Sequence, residues 1–427
     1  MRIHLRDGHV VDPINGINAK ADIFVADGRI VAVGASPADF SADRIINATG
    51  LIVCPGLIDI STYLREPGEE YKASIASETR AAVAAGITTV CCGPETTPVV
   101  DTPAVVELIH HRAAQAGHIR VVTLGALTEG LAGKQLSNMA ALKDAGCVGV
   151  SNGRNHIANA LVMRRAMEYA ATFDLTVFVH VEDDALKGDG CMHEGPVSTR
   201  LGLPGIPEAA ETVAVARELA LVEQTGARAH FCRLSTARAA QMIARAQHDG
   251  LPVTADVAVH QLFLTEIDVA DFNSACHVQP PLRAQRDREG LLAALKKGTI
   301  SVITSDHQPH EADAKFNPFG QTEPGIAGLE TLLPLGLRLV DDDHLDLPAL
   351  ITRLSCQPAK ILGIDGGALT VGARADICVF NPHTYWEVNP NQWHSQGRNT
   401  PFAGWELKGR AKYTVAAGKV VFEQPEF

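Results

Sequence analysis

The sequence predicts an α/β protein, a (β/α)8 TIM barrel with a small β-sandwich lobe formed by both termini. Three observations carry this. Eight short, continuously apolar runs recur through the middle of the chain, at 56–61, 87–92, 120–124, 148–151, 176–180, 228–232, 253–257 and 300–305. Runs without polar alternation suit parallel strands covered on both faces. Between most of them lie Ala-rich segments with helical spacing, such as "YKASIASETRAAVAAG", "TPAVVELIHHRAAQAG", "IANALVMRRAMEYAATF" and "IPEAAETVAVARELALVEQTG". Strand and helix in alternation is the barrel pattern. Both ends of the chain have another texture, short β-like runs broken by turns, as in "RIHLRDGHVVDP", "ADIFVADGRIVAVG", "ADICVFNP" and "AKYTVAAGKVVFE". Asp7-Gly8 and Asp27-Gly28 read as hairpin signals. The expected division is residues 1–54 with 360–427 for the composite lobe, and 55–359 for the barrel.

Composition narrows the function. The 427 residues are 46% hydrophobic and 20% charged, which describes a soluble globular protein with a sizeable core. A net charge of -12 argues against nucleic acid or an anionic membrane surface as partner, and leaves room for a basic protein. The start, "MRIHLRDGHVVDP", has no apolar signal segment, and no run approaches the roughly 18 apolar residues of a membrane span. The nine cysteines sit inside apolar runs with no CxxC, as small core residues do in a reducing cytoplasm. A cytoplasmic location is expected.

In such a barrel chemistry sits at the carboxyl ends of the strands. The polar residues there are Arg65, Glu95, Ser151, Asn152, His180, Arg233, His260, Asp306, His307 and His310. The first strand runs through "GLIDISTYLREPG", whose centre, Ser61-Thr62-Tyr63, offers no imidazole, carboxylate or thiolate. A metal hydrolase needs at least three such ligands, or a carbamylated lysine, converging on one point. The fourth strand ends Ser151-Asn152-Gly153, and the sixth in Arg233, which keeps its proton and repels a cation. His180 and Asp306 remain, with His230 further down its strand and expected to face away from Arg233. The rim therefore opposes a binuclear metal centre.

Each remaining residue has two readings. His180 is a hydrogen-bonded barrel histidine or a weak residual ligand. Asp306 is a base, or half of an ion pair with Arg233 or another rim arginine. Arg65 and His310 hold a substrate carboxylate, or Arg65 is neutralised by Glu66 or Glu95, which is the favoured reading. Tyr63 and Thr62 fill the volume that ligands and ions would take.

Taken together, "PGLIDI…LREPG", "AAGITTV", "HVEDDAL", "HFCRLSTA", "QPPLR", "ITSDHQPH" and "GALTVGARADICVF" resemble the type I dihydroorotases of the amidohydrolase superfamily over nearly the whole chain. The resemblance implies an amidohydrolase-type barrel. It gives His180 the position of a metal ligand, Asp306 that of the catalytic acid/base, and Arg65 and His310 those of substrate contacts. The zinc of active members would lose its other ligands here, because Ser61, Tyr63, Asn152 and Arg233 stand at ligand positions and Glu95 at a substrate-binding asparagine. The pattern is most similar to the noncatalytic dihydroorotase-like chain of some bacterial aspartate transcarbamoylases. That implies no metal cofactor and a pseudoenzyme in pyrimidine biosynthesis, assembled with the transferase catalytic chain in a dodecamer-like hetero-oligomer. An active zinc amidohydrolase with an altered metal site is the alternative. A sensor holding a dicarboxylate on Arg65 and His310 is a third reading, compatible with the first.

Overall fold

The computed structural model describes residues 1–425. Eight parallel strands follow one another in chain order around the barrel: Leu57–Asp59, Ile87–Cys92, Arg120–Ala126, Gly149–Ser151, Thr176–His180, Ala229–Cys232, Val253–Ala258 and Val302–Thr304. Every residue of Ile87–Cys92 is buried, as a strand covered on both faces must be. The four Ala-rich segments form the helices Ile75–Ala84, Pro103–Ala116, Ala160–Thr172 and Glu208–Thr225. The first begins where the Ser74 hydroxyl accepts from Ser77 N and Ser77 Oγ accepts from Ser74 N, a reciprocal cap.

The barrel interior is filled by Ile58, Cys91, Leu124, Phe178, Cys232 and Val302. The short helix Gln357–Leu362 packs Ile361 and Leu362 against that cluster from the amino-terminal end of the strands. All nine cysteines are buried and unbonded to one another, consistent with a role as small core residues.

The first and eighth strands are joined by a bridge rather than a long ladder. His307 N donates to Ser61 O at 3.1 Å and Tyr63 N to His307 O at 2.9 Å. Asp59, fully buried, stands beside this seam. Its carboxylate accepts from Ser305 N at 3.0 Å, from the Thr62 hydroxyl at 2.7 Å, and from the hydroxyls of Thr304 and Ser305. His307 is part of the same seam. Its Nδ1 accepts from Gly328 N at 3.0 Å, so its other nitrogen carries the proton that points at Glu78, 2.6 Å away.

Strands from both ends of the chain form one further eight-stranded sheet. Ile3–Asp12 pairs along its length with Ile17–Ala26. On its other edge its first half pairs with Arg44–Asn47 and its second half with Ile52–Pro55. The late strands Ile377–Glu387, Glu406–Ala416 and Lys419–Glu423 join through Ile52–Pro55. This sheet closes over a core of its own, including Ile3, Ile23, Val25, Val53, Ile377 and Val415.

Of the two Asp-Gly signals, one is a hairpin and one is not. Asp27 and Gly28, both at positive φ (51 and 79), make the two-residue turn between Ala26 and Arg29. Asp7-Gly8 instead forms a bulge within Ile3–Asp12, where the register shifts between Leu5 and Gly8. A β-carbon on Gly8 would lie 2.5 Å from Val53 Cγ2, so glycine serves close strand packing there. Among the described residues no helix is long and apolar enough to cross a membrane.

The seam makes a direct prediction. Asp59→Ala leaves several buried donors without an acceptor, each costing about 1–3 kcal/mol in part relieved by rearrangement. Urea denaturation should show a loss of about 3 kcal/mol, large for one substitution; a loss under about 1 kcal/mol would contradict this account of barrel closure.

Candidate functional site at the barrel mouth

The centre of the mouth is an ion pair between Asp306 and a residue absent from the sequence-based candidates, Arg154. Its Nη2 lies 2.7 and 2.8 Å from the two Asp306 carboxylate oxygens. Its Nε donates to the Tyr63 hydroxyl at 3.0 Å, and its Nη1 to Gln279 O. Tyr63 in turn donates to Glu95 Oε1 at 2.7 Å, which also accepts Arg154 N at 2.9 Å. Gly153 makes this turn possible. Its φ is 61, and a β-carbon there would sit 2.1 Å from Glu95 Cδ.

Arg233 approaches from the opposite side. Its Nη1 donates to Ser61 Oγ at 3.0 Å, its Nη2 lies 3.4 Å from His180 Nδ1, and its Nε lies 3.7 Å from Asp306 Oδ1. Ser61 Oγ donates to Asp306 Oδ1 at 3.1 Å, and Gln308 Nε2 to Oδ2 at 3.1 Å. The expected ion pair at Asp306 is thus present, with Arg154 as the close partner and Arg233 the distant one. Arg65, Arg233 and Asp306 all adopt positive φ (62, 55 and 46). Such strain in non-glycine residues concentrates at binding and catalytic sites.

The electrostatics follow from these contacts. Burial alone would push the Asp306 carboxyl up, but the Arg154 and then the Arg233 guanidinium overcome it and hold it below its usual range. Burial, then Glu95, pushes the Tyr63 phenol up, so it stays a donor. Burial lowers His180, which is neutral at pH 7. A guanidinium can only donate, so the His180 proton sits on Nε2, 3.7 Å from Glu182 Oε2. His180 is thus hydrogen-bonded at Nδ1 alone, its buried Nε2 having no hydrogen-bond partner among the described residues. Burial likewise lowers His260 to about 4.

Other candidates lie apart from this cluster or face elsewhere. Ser151 donates to Phe178 O at 2.9 Å. Asn152 turns into the loops, accepting from Thr128 Oγ1 at 2.7 Å and donating to Leu131 O at 3.2 Å. The expected neutralisation of Arg65 by Glu66 or Glu95 does not occur. Arg65 pairs with Glu69 at 2.9 Å and donates to Pro309 O at 3.0 Å, while Glu66 accepts from Ile75 N and Glu95 is taken by Tyr63 and Arg154. The four-residue step from Arg65 to Glu69 closes as a turn, Glu69 N donating to Arg65 O at 2.8 Å. His310 Nε2 lies 3.1 Å from Arg65 Nη2 and 3.0 Å from Pro324 O. Burial and then Arg65 lower its pKa to about 3.

His230 lies deeper in the barrel. Its Nδ1 is 2.7 Å from Thr254 Oγ1 and its Nε2 is 2.8 Å from Asp256 Oδ2. With Cys232 these two form a fully buried trio whose ligand atoms lie within 4.8 Å of one another. The other Asp256 oxygen accepts Arg233 N at 2.6 Å. The void left at the mouth, bounded by Ser61, Tyr63, Glu95, Phe178, Cys232 and Arg233, measures ≈ 30 Å³. That admits a water or two, against the 300 Å³ or more of an ordinary ligand pocket.

Solved structures share this architecture. L-hydantoinase from Arthrobacter aurescens superposes with a TM-score of 0.89 at 24% identity, covering 99% of this chain and 96% of that one. The dihydropyrimidinase of Brevibacillus agri superposes at 0.85 and 23%. The fold is therefore an amidohydrolase-type barrel with a β-sheet lobe. The dihydro-orotase-like family model matches residues 50–239. A "Dihydroorotase-like protein" of Pseudomonas putida is 53% identical, with 98% of this chain and 99% of that protein covered. One of the same description from Pseudomonas aeruginosa is 51% identical over 99% and 100%, and a "Dihydroorotase" of Geobacter sp. M21 is 45% identical over 99% and 100%. The chain belongs to the dihydroorotase-like family.

Removing Arg154 should change how stability depends on pH. In the native chain Asp306 has a depressed pKa, so its contribution is present above about pH 4 and is lost as pH falls further. In Arg154→Ala, the largest stabilising contact is lost, burial is offset by the more distant Arg233 at 3.7 Å and by the Ser61 and Gln308 donors, and the carboxyl pKa rises. The folded state then favours the protonated acid, and stability declines as pH rises above about 4. Thermal unfolding from pH 4 to 8 should show a deficit that widens with pH, to about 3 kcal/mol near neutrality. A deficit independent of pH would contradict the pairing.

Proposed function

We propose that this chain is a catalytically inactive, cytoplasmic dihydroorotase-like subunit that supports assembly and activity of the aspartate transcarbamoylase catalytic chain in pyrimidine biosynthesis. The observation that carries this reading is Arg154 in close contact with both oxygens of Asp306. A hydrolytic zinc site needs converging neutral or anionic ligands and an open position for water. Here the carboxylate at the acid/base position is engaged by two guanidiniums, the His180 imidazole faces the Arg233 guanidinium, and the void beside them is ≈ 30 Å³. These residues do not fit zinc. A dicarboxylate held on Arg65 and His310 would have to displace the carboxylate that Arg65 already holds in Glu69 at 2.9 Å.

One observation favours the alternative, an amidohydrolase with an altered metal site: relatives named dihydroorotase reach 45% identity over the full chain. The buried trio His230, Cys232 and Asp256 lends it little. Both imidazole nitrogens and both Asp256 oxygens are already bonded, and burial pushes the Cys232 thiol up.

Zinc content and dihydroorotase turnover of the purified chain, with and without added zinc, decide between them. The expected outcome is less than about a tenth of an equivalent of zinc after dialysis and turnover indistinguishable from a buffer blank, with co-elution when mixed with the transferase catalytic chain. Stoichiometric zinc with turnover would overturn the pseudoenzyme reading, and separate elution would overturn the assembly role.

A further inference from the structure

A large concavity lies at the end of the barrel opposite the mouth. A cavity of ≈ 700 Å³ opens where the fourth to seventh strands begin, beside the helix Gln357–Leu362. Its size is that of a drug-sized ligand pocket. We propose that it binds an organic phosphate of nucleotide size, a nucleoside body carrying several negative charges.

Three features define that ligand class. One wall is apolar, built by Leu175, Pro252, Ile361 and Leu362, which suits a flat, weakly polar body. The rim carries Lys143, Arg228 and Lys360 against one carboxylate, Asp174. Asp174 is spent on Arg228 at 2.9 Å, whereas the Lys360 ammonium has no hydrogen bond or ion pair among the described residues. A second concavity of ≈ 420 Å³ shares Gly146 and Val148 with the first and adds Arg120, Lys419 and Arg374, the last already paired with Asp376 at 2.9 Å. In a protein of net charge -12, so cationic an end attracts anions. Separate cations around a rim suit a polyphosphate better than a single carboxylate, which one guanidinium fork would satisfy.

The floor supplies the polar contacts of a nucleoside. Thr254 Oγ1, which lines the cavity, lies 2.7 Å from His230 Nδ1. In either hydrogen-bond direction the Thr254 oxygen keeps at least one lone pair for a donor on the ligand. Gln357, also lining the cavity, makes no side-chain hydrogen bond among the described residues and offers both a donor and an acceptor to a base edge.

The test is calorimetric titration of the full chain with UTP and with ATP, using inorganic tripolyphosphate and uridine as controls for charge alone and body alone. Saturable binding of at least one nucleotide is expected, tenfold or more tighter than either control. The double variant Lys143→Glu, Lys360→Glu changes two exposed side chains, and its unliganded melting temperature reports that it folds. It should weaken nucleotide binding at least tenfold. No saturable binding of either nucleotide, binding unchanged in the folded variant, or tripolyphosphate binding as tightly as nucleotide would each overturn the proposal.

Discussion

Burying the Asp306 carboxylate at the end of the eighth strand creates a charge that the rest of the mouth must answer. A buried anion without a counterion costs several kcal/mol, and one answered by two cations leaves a positive excess that is also costly. The mouth balances as four groups. Arg154 and Arg233 face Asp306, and Glu95 supplies the second negative charge by holding the Arg154 main-chain amide and the Tyr63 hydroxyl. Ser61 bonds both Arg233 and Asp306, so even the small residue on the first strand has a defined task. Tyr63, which interrupts a ligand pattern in the sequence, is the hinge between Glu95 and Arg154 and lies beneath the Arg154 guanidinium, 5.6 Å from ring centre.

That balance keeps the mouth of the barrel ordered around a buried charge. The strained backbone at Arg65, Arg233 and Asp306 is retained because neighbouring contacts fix it: Pro309 O and Glu69 for Arg65, the Asp256 carboxylate for Arg233, and two arginines for Asp306. The loop ends that orient catalytic groups in a barrel here orient an ion-pair network. Such a network holds the strand ends together from within.

The barrel was legible because its strands are apolar on both faces and its helices Ala-rich, patterns that survive without knowledge of contacts. Ile87–Cys92 and Thr176–His180 coincide with apolar runs visible in the sequence. Asp7-Gly8 misled because the same dipeptide serves a hairpin or a bulge, and only the pairing of Gly8 against Val53 separates them. The need for a cation at Asp306 was also legible, yet its main supplier was not. Arg154 lies in "SNGRNH", an irregular loop with no periodicity to aim its side chain. The available signal was positional, an arginine three residues beyond Ser151 at a strand end that faces the mouth. Arg65 shows the converse. Its neighbours Glu66 and Glu95 were the natural partners by sequence and by rim position, but its positive φ turns the chain so that Glu69 meets it.

The paired arginines also bear on reversibility. Replacing either one by a histidine or carboxylate would leave the other guanidinium buried beside the new group, where it would repel an arriving cation and lack part of its own counter-charge. A metal could be accommodated only after both had changed, along with Tyr63 and Ser61 between them. Sequence change at the mouth therefore has to alter several contacting residues together.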